Sequence, residues 1–202
     1  MNTAGIDIKG FVTIKDPMTG EVLLETTNAI HYENFSTALA YSVADKGQNF
    51  IYELHLGNGA TSVDPTGVIT YLPPNVTGQN ANLYNPTYYK IVDDTSTANP
   101  DPLNNNMRIL HTPGNTYTDI FVTCLLNYGE PAGQTAFDNS SITNGTYVFD
   151  ELGLFGYLAG SPGQGQLLTH AVMHPIQKAL NRLIQIEYTV RISSITTLVS
   201  LV

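Results

Sequence analysis

The strongest constraint on the fold is an alternating segment near the end of the 202-residue chain, residues 183–192. Side chains alternate between the two faces of a β-strand, so here one face is apolar and the other polar. The apolar face consists of Ile184, Ile186, Tyr188, Val190 and Ile192. A helix would spread these residues around its circumference, and β-branched and aromatic residues favour strands. The segment therefore predicts a half-buried strand around which the rest of the chain is organised.

The composition excludes several classes of partner. Hydrophobic residues make up 42% of the chain, enough for a core, whereas charged residues make up only 12%, about half the usual share of roughly 25%. Two interpretations stay open: the surface is buried against other subunits, or it is polar, uncharged and free. The net charge is −9 and the 8 Lys and Arg residues are scattered. Because binding along nucleic acid requires clustered cations, we expect neither nucleic acid nor a membrane as a partner.

The chain also lacks the sequence signs of export. Its first residues have no basic start followed by an apolar run, and no apolar run approaches the ~20 residues of a membrane span. We expect synthesis in the cytoplasm. Cys124 is the single cysteine, so no intrachain disulfide can form, and its apolar neighbours predict a core thiol.

The first third of the chain predicts a hairpin and a helix. Residues 6–27 form the hairpin, with Pro17 and Gly20 in its turn. Apolar residues at spacings of three and four predict a helix at 32–44, ended by Gly47. A strand at 50–56 follows, and its glycine-rich end lacks the Gly-Lys-Ser/Thr of a phosphate loop.

Residues 60–116 are rich in proline and predict a long irregular insertion with short extended pieces at 68–72, 88–92 and 107–111. A loop of this length is usually functional or ordered by another component. Its tyrosines either contact a neighbouring subunit, because aromatic residues are enriched at interfaces, or cover the sheet of their own subunit. The candidate contact residues are Tyr71, Tyr84, Tyr88 and Tyr89.

The second half predicts a sandwich. Strands are expected at 117–128, 147–155, 167–173 and 184–192, and the tail 194–202 is expected to form one more. A strand at a chain end can pair with a neighbouring subunit, which adds Ile195, Leu198 and Leu201 to the candidate interface. The predicted fold is mainly β: one antiparallel β-sandwich domain over 1–202, with a hairpin-plus-helix subregion at 1–47 and the sandwich with its insertion at 48–202.

The polar residues suggest several kinds of reactive site, and each lacks an essential part. His170 and His174 lie on one face of a strand, but a zinc site needs a third and usually a fourth ligand. The acidic residues at 93–101 lack the pattern of a calcium loop. No nucleophile elbow occurs, and the adjacent Asp150 and Glu151 do not establish the paired carboxylates of a glycosidase. We assign no catalytic, cofactor-binding or metal-binding residue and expect no enzyme.

A succession of short motifs resembles a family. A strand at 149–155 ends in Glu-hydrophobic-Gly-Leu-hydrophobic and is followed by a glycine-rich turn at 163–166. A strand that begins Leu-Leu at 167–170, a Pro-hydrophobic-x-Lys turn at 175–178 and the alternating strand at 184–192 complete the series. The segment 53–59 looks like the first-strand partner of this set. This order resembles domains in structural proteins of tailed bacteriophage virions, especially tail-fibre, collar and baseplate attachment proteins. Residues 16–30 are similar to openings of such proteins, whereas 60–116 departs from the pattern.

The resemblance implies a non-enzymatic virion subunit in the tail, baseplate or neck, acting as an adaptor or fibre-attachment protein. Its partners would be copies of itself, in a ring or trimer, and neighbouring virion proteins. Two alternatives stay open: a head-decoration or capsid-lattice protein, and a carbohydrate-binding sandwich whose tyrosines stack on sugars. The first hypothesis also predicts that residues 77–113 make few contacts with the chain's own core.

Overall fold

A computed structural model describes residues 3–134 and 147–197 and confirms the mainly β, sandwich-like fold. The first antiparallel sheet contains β1 (Thr3–Lys15), β2 (Val22–Thr27), β8 (Asn106–Leu110), β9 (Tyr117–Leu126) and β12 (Ile184–Thr197), in the order β2-β1-β12-β9-β8. The second contains β3 (Ala29–Ile30), β4 (Ile51–Gly57), β7 (Pro86–Ile91), β10 (Tyr147–Gly156) and β11 (Thr169–Lys178), in the order β3-β11-β10-β4-β7. A small hairpin of β5 (Thr61–Val63) and β6 (Ile69–Tyr71) stands apart.

The alternating strand lies at the centre of the first sheet, as the pattern predicts. β12 pairs with β1 on one side and β9 on the other. Its even-numbered residues from Ile184 to Val190 are completely buried. The tail predicted as a separate strand is instead a continuation of β12 to Thr197, because the pairing with β1 continues to that residue. Leu198 and Leu201 lie outside the described residues.

A buried tyrosine joins the two sheets. The Tyr188 hydroxyl donates to the Thr169 hydroxyl of β11 at 2.6 Å and accepts a hydrogen bond from the Asn28 amide. Asn28 reaches this position because residue 10 is glycine: a Cβ there would overlap the Asn28 side chain. Burial raises the pKa of the Tyr188 hydroxyl, so it stays protonated.

The predicted helix is confirmed as α1 (Tyr32–Val43). Its N-cap is His31, whose Nδ1 accepts a hydrogen bond from the Asn34 backbone N–H at 3.2 Å. Phe35 and Ala38 are buried against the core. The chain leaves the helix through Gly47, which has a positive φ of 59°.

The prediction that residues 77–113 make few contacts with the chain's own core is wrong. Strand β7 pairs with β4, and β8 pairs with β9. Tyr88 and Val92 belong to the main core, and Leu83 packs against Phe155 and Leu167. The three short extended pieces predicted in the insertion correspond to β6, β7 and β8. β7 and β8 each add to the edge of one sheet of the sandwich, whereas β6 pairs only with β5.

Candidate functional site

The most unusual feature of the molecule is a group of acids and imidazoles buried on the outer face of the second sheet. The ladder between β10 and β11 has a bulge between Phe149 and Glu151, which pair with Ile176 and Val172, so the extra residues lie in β11. Before and after it, different positions of β10 face the core. Phe149 before the bulge and Leu152 after it face the main core, whereas Phe155 packs in a second cluster on the opposite face. We call the buried group the polar cluster; it consists of Glu53, His55, Asp150, Glu151 and His170.

Glu151 is the centre of the polar cluster, and its side chain is completely buried. Its Oε1 accepts hydrogen bonds from the backbone N–H groups of Gly59 at 3.2 Å and Asn85 at 2.8 Å. Its Oε2 accepts from the backbone N–H of Tyr84 at 2.9 Å and from His170 Nε2 at 3.0 Å. One carboxylate therefore fixes two segments on either side of the β5–β6 hairpin onto the sheet.

His170 uses both ring nitrogens inside the protein. Its Nδ1 accepts a hydrogen bond from the Asn75 backbone N–H at 2.9 Å, so the proton lies on Nε2, which donates to Glu151. His174 is exposed, and its Nδ1 lies 3.2 Å from the Tyr71 hydroxyl. The structure therefore does not bring the two histidines together. Within residues 3–134 and 147–197, no group of three or more His, Cys, Asp or Glu side chains could hold a metal ion.

Asp150 fixes the start of the insertion. Its two oxygens accept hydrogen bonds from the backbone N–H groups of Ala60 at 3.1 Å and Thr61 at 2.9 Å, and from the Thr61 hydroxyl. Burial raises the pKa of the Asp150 carboxyl despite these bonds. Burial acts in the same direction on Glu151, but hydrogen bonds from His170, Asn85 and Tyr84 outweigh it and lower the pKa of Glu151.

The chemistry of the two carboxylates follows from these contacts. Glycoside hydrolysis needs two carboxyl groups that face each other across a cleft. Asp150 and Glu151 are instead neighbours in sequence, and each is directed at backbone N–H groups of its own chain. Their observed role is to satisfy and position the backbone of the insertion.

A second acid–imidazole pair fixes the loop between β10 and β11. The Glu53 carboxylate accepts the Gly163 backbone N–H at 2.9 and 3.0 Å, and its Oε2 lies 2.9 Å from His55 Nε2. The His55 ring stacks on Phe155 and Tyr89, with ring centroids 3.8 and 5.2 Å away. This pair holds its loop in the same way as Glu151 holds the insertion.

The stability of the protein is expected to depend on the ionisation of His55. Burial lowers the pKa of His55, although hydrogen bonding to Glu53 opposes this shift. The folded state therefore binds fewer protons than the unfolded state below the unfolded pKa of about 6.5. The contribution of His55 to stability is complete above that pH and is lost as the pH falls below it.

Denaturant unfolding between pH 8 and pH 5.5 tests this expectation. The free energy of unfolding should decrease across the interval, and His55→Gln should flatten the decrease. His111→Gln serves as the control, because His111 is exposed and its replacement should leave the slope unchanged. Equal slopes for the wild type and His55→Gln would refute the assignment.

A buried lysine completes the motifs that carry the resemblance. Lys178 is completely buried, and its Nζ donates to the carbonyl oxygens of Asn127, Glu130 and Ala179 at 2.8–3.0 Å. Burial lowers the pKa of its ammonium group. Lys178 therefore ties the end of β11 to the turn that follows β9.

Comparison with protein-family models, curated proteins and solved structures gave no match. In the part of the chain that the structure describes, no helix has the length and apolar character needed to cross a bilayer.

The structure places the predicted contact tyrosines in different environments. Tyr71 and Tyr84 are exposed, and the Tyr84 hydroxyl donates to the Pro73 carbonyl oxygen at 2.7 Å. Tyr89 is half-buried beside His55, whereas Tyr88 is only 7% exposed and belongs to the core. Tyr88 therefore offers no ring face to a neighbour or a sugar. Ile195 is 47% exposed near the end of β12.

The pairing of acids with imidazoles was not predicted from the sequence. Glu151 and His170 were considered separately, and 19 positions separate them. The sequence does contain a local signal: Glu53 and Glu151 each begin a Glu-Leu-x-Leu run within a strand. Since the leucines occupy the core face, the acid must lie on the opposite face. In a strand covered on both sides, that acid needs hydrogen-bond donors.

Proposed function

We propose that the protein is a non-enzymatic structural subunit of a tailed phage virion, an adaptor or fibre-attachment protein of the tail, baseplate or neck that assembles with copies of itself. The observation that carries this proposal is that residues from the motifs that resemble phage structural proteins hold separate segments of one chain together. Glu151 and His170 fix the insertion, and Lys178 fixes the turn after β9. Three of these motifs each contribute a residue that ties parts of one sandwich together, which suits a component that bears load.

The use of the buried ionisable groups supports a structural role. The carboxylates of Glu53, Asp150 and Glu151 each accept backbone N–H groups of the same chain. Carboxylates that accept several hydrogen bonds from their own chain serve to hold that chain in place. Charge-assisted hydrogen bonds of this kind are also stronger than those between neutral groups.

The surface supports assembly. Several large apolar side chains are exposed, among them Ile6 at 65%, Val43 at 88% and Leu103 at 88%. They lie on a surface whose low charge gives little protection against association. Contacts with copies of the chain and with neighbouring virion proteins would cover them.

Labelling of virus particles tests the location. Antibodies against the purified protein, viewed by electron microscopy on particles from the source phage, should decorate the tail, baseplate or neck. Decoration of the head would instead support the head-decoration or capsid-lattice alternative. Particles that contain no copy of the chain by mass spectrometry would contradict the proposal.

A further inference from the structure

Strand β1 is longer than its neighbour on one side. It pairs with β12 from Thr3 to Lys15, but β2 pairs only with Phe11–Lys15. After β2 the chain leaves the first sheet: the Asn28 backbone N–H donates to the Gly10 carbonyl oxygen at 3.3 Å, and β3 joins the other sheet. Among residues 3–134 and 147–197, no strand pairs with residues 3–9 on this side. We call this stretch the open β1 edge.

The backbone direction shows which residues are available there. The N–H and C=O groups of one strand residue point to the same side, and the side alternates along the strand. The Gly10 carbonyl points to the side of β1 on which β2 lies, and every second residue before Gly10 points the same way. The backbone groups of Ile8, Ile6 and Ala4 therefore point to the open β1 edge. A row of unpaired groups of this kind is a template for another strand.

The side chains next to this edge are apolar and accessible. Ile6 is 65% exposed and lies on the same face of β1 as Ile8 and Val12, which are buried in the core. The apolar stripe of β1 thus continues beyond the region that the second sheet covers. A concavity of about 460 Å³ adjoins residues 7–11, and Tyr32, which is 69% exposed, lies at its rim.

We propose that the open β1 edge pairs in antiparallel orientation with the same edge of a second copy, about a twofold axis at Ile6. This inference rests on the proposed function, since it specifies one contact of a self-assembling subunit. Like residues then pair with like, so a single surface serves both copies. A twofold contact joins copies in pairs, and a ring built through another surface would become a double ring.

The geometry selects the register. Residues whose backbone groups point to the open β1 edge must lie opposite residues of the partner whose backbone groups point to the same edge of that copy. The even-numbered positions therefore pair with one another. Pairing Ile6 with Ile6 of the partner subunit places Ile8 opposite Ala4 of the partner subunit. A shift of one pair in one direction would bring the partner's Ala4 to Gly10, where Asn28 already lies. A shift in the other direction would shorten the paired region.

The selected register is also chemically compatible. It provides about six main-chain hydrogen bonds, because each hydrogen-bonded pair exchanges two. The two Ile6 side chains meet on one face and cover each other. Asp7 and Lys9, which form an ion pair at 3.1 Å, would lie opposite Gly5 and Thr3 of the partner subunit, so no like charges face each other.

Cysteine cross-linking tests the register. In a Cys124→Ala background, Ile6→Cys should form a disulfide-linked dimer under mild oxidation, because hydrogen-bonded antiparallel partners have Cα atoms about 5.5 Å apart. Ile109→Cys is the matched control, since Ile109 is equally exposed but far from the open β1 edge in the sheet order. We expect at least about tenfold less dimer from this control, because only random collision joins its copies.

Ile6→Pro tests the hydrogen bonds. The Ile6 N–H faces the open edge, where proline is tolerated within one chain, but proline removes a donor that the pairing needs. The variant should keep the wild-type melting temperature and lose the β1 contact, as measured by light scattering. If the Ile6→Pro variant does not fold, the cross-linking of Ile6→Cys tests the pairing on its own.

Three results would overturn the inference. Equal cross-linking of Ile6→Cys and Ile109→Cys in a protein that still assembles would refute the β1 contact and leave the proposed function standing. Slow hydrogen exchange at Ile6 and Ile8 in a monomeric chain would show that the chain's own residues cover the edge. A chain that is monomeric at every concentration would refute self-assembly altogether, whereas particle labelling tests the virion location independently.

Discussion

Replacing Glu151 with alanine is expected to lower the free energy of unfolding by at least about 3 kcal/mol, because each buried donor left without its acceptor costs about 1–3 kcal/mol. The change leaves the backbone N–H groups of Gly59, Tyr84 and Asn85 and the Nε2–H of His170 without their acceptor. Chemical denaturation measures the loss. Hydrogen exchange should become faster at Gly59, Tyr84 and Asn85, because their N–H groups lose their acceptor on β10.

Two further variants make this prediction specific. Glu151→Gln keeps one acceptor oxygen but turns an amide NH₂ towards other donors, so we expect a smaller loss of about 1–3 kcal/mol. Glu25→Ala removes an exposed glutamate of β2 and should change stability by less than about 0.5 kcal/mol. If Glu151→Ala were as stable as Glu25→Ala, the carboxylate would not hold the insertion.

Replacing Gly153 with alanine is expected to lower the free energy of unfolding by about 1–3 kcal/mol, the usual cost of adding atoms to a well-packed site. A Cβ on Gly153 would overlap the carbonyl oxygen of Thr169 and lie 2.8 Å from Leu167 Cδ1. Since the first of these neighbours is backbone, the clash cannot be relieved by a change of rotamer. β10 and β11 would have to separate locally.

Gly5→Ala is the matched control for this substitution. Gly5 also lies in a strand, and a Cβ there would meet only Ile195, at 3.9 Å, which is ordinary contact. Its replacement should leave the denaturation midpoint nearly unchanged. A Gly153→Ala variant as stable as Gly5→Ala would show that β10 and β11 do not approach as closely as described.

The local patterns of the sequence predicted most of the individual elements. Alternation identified β12, and the helical spacing placed α1 within one residue of its observed end. The strand partners could not be read in this way. β1 forms its longest ladder with β12 at the other end of the chain, and no local pattern encodes a pairing over that separation.

The insertion was predicted to make few contacts with the core because its local sequence is irregular. Its prolines and asparagines suggested a segment without internal support, because the acceptors that order it lie elsewhere in the chain. Asn85 is held by Glu151, 66 positions away, and Thr61 by Asp150, 89 positions away. The bulge between Phe149 and Glu151, beyond which Glu151 lies on the outer face, depends on the pairing of β10 with β11, and no local pattern in β10 predicts it.

Because the insertion is ordered within its own chain, assembly is expected to begin from folded subunits. The entropic cost of ordering residues 60–116 is offset within one chain, by the carboxylates of β10 and by pairing with β4 and β9. Subunits would therefore meet as preformed bodies. They would associate through exposed apolar residues and the open β1 edge rather than by folding onto one another.

The mass of the purified 202-residue chain in solution tests the central claim most directly. Native mass spectrometry and light scattering over a wide concentration range should find a defined assembly whose mass is a multiple of 21.9 kDa. A single 21.9 kDa species at every concentration would contradict a subunit that assembles with copies of itself.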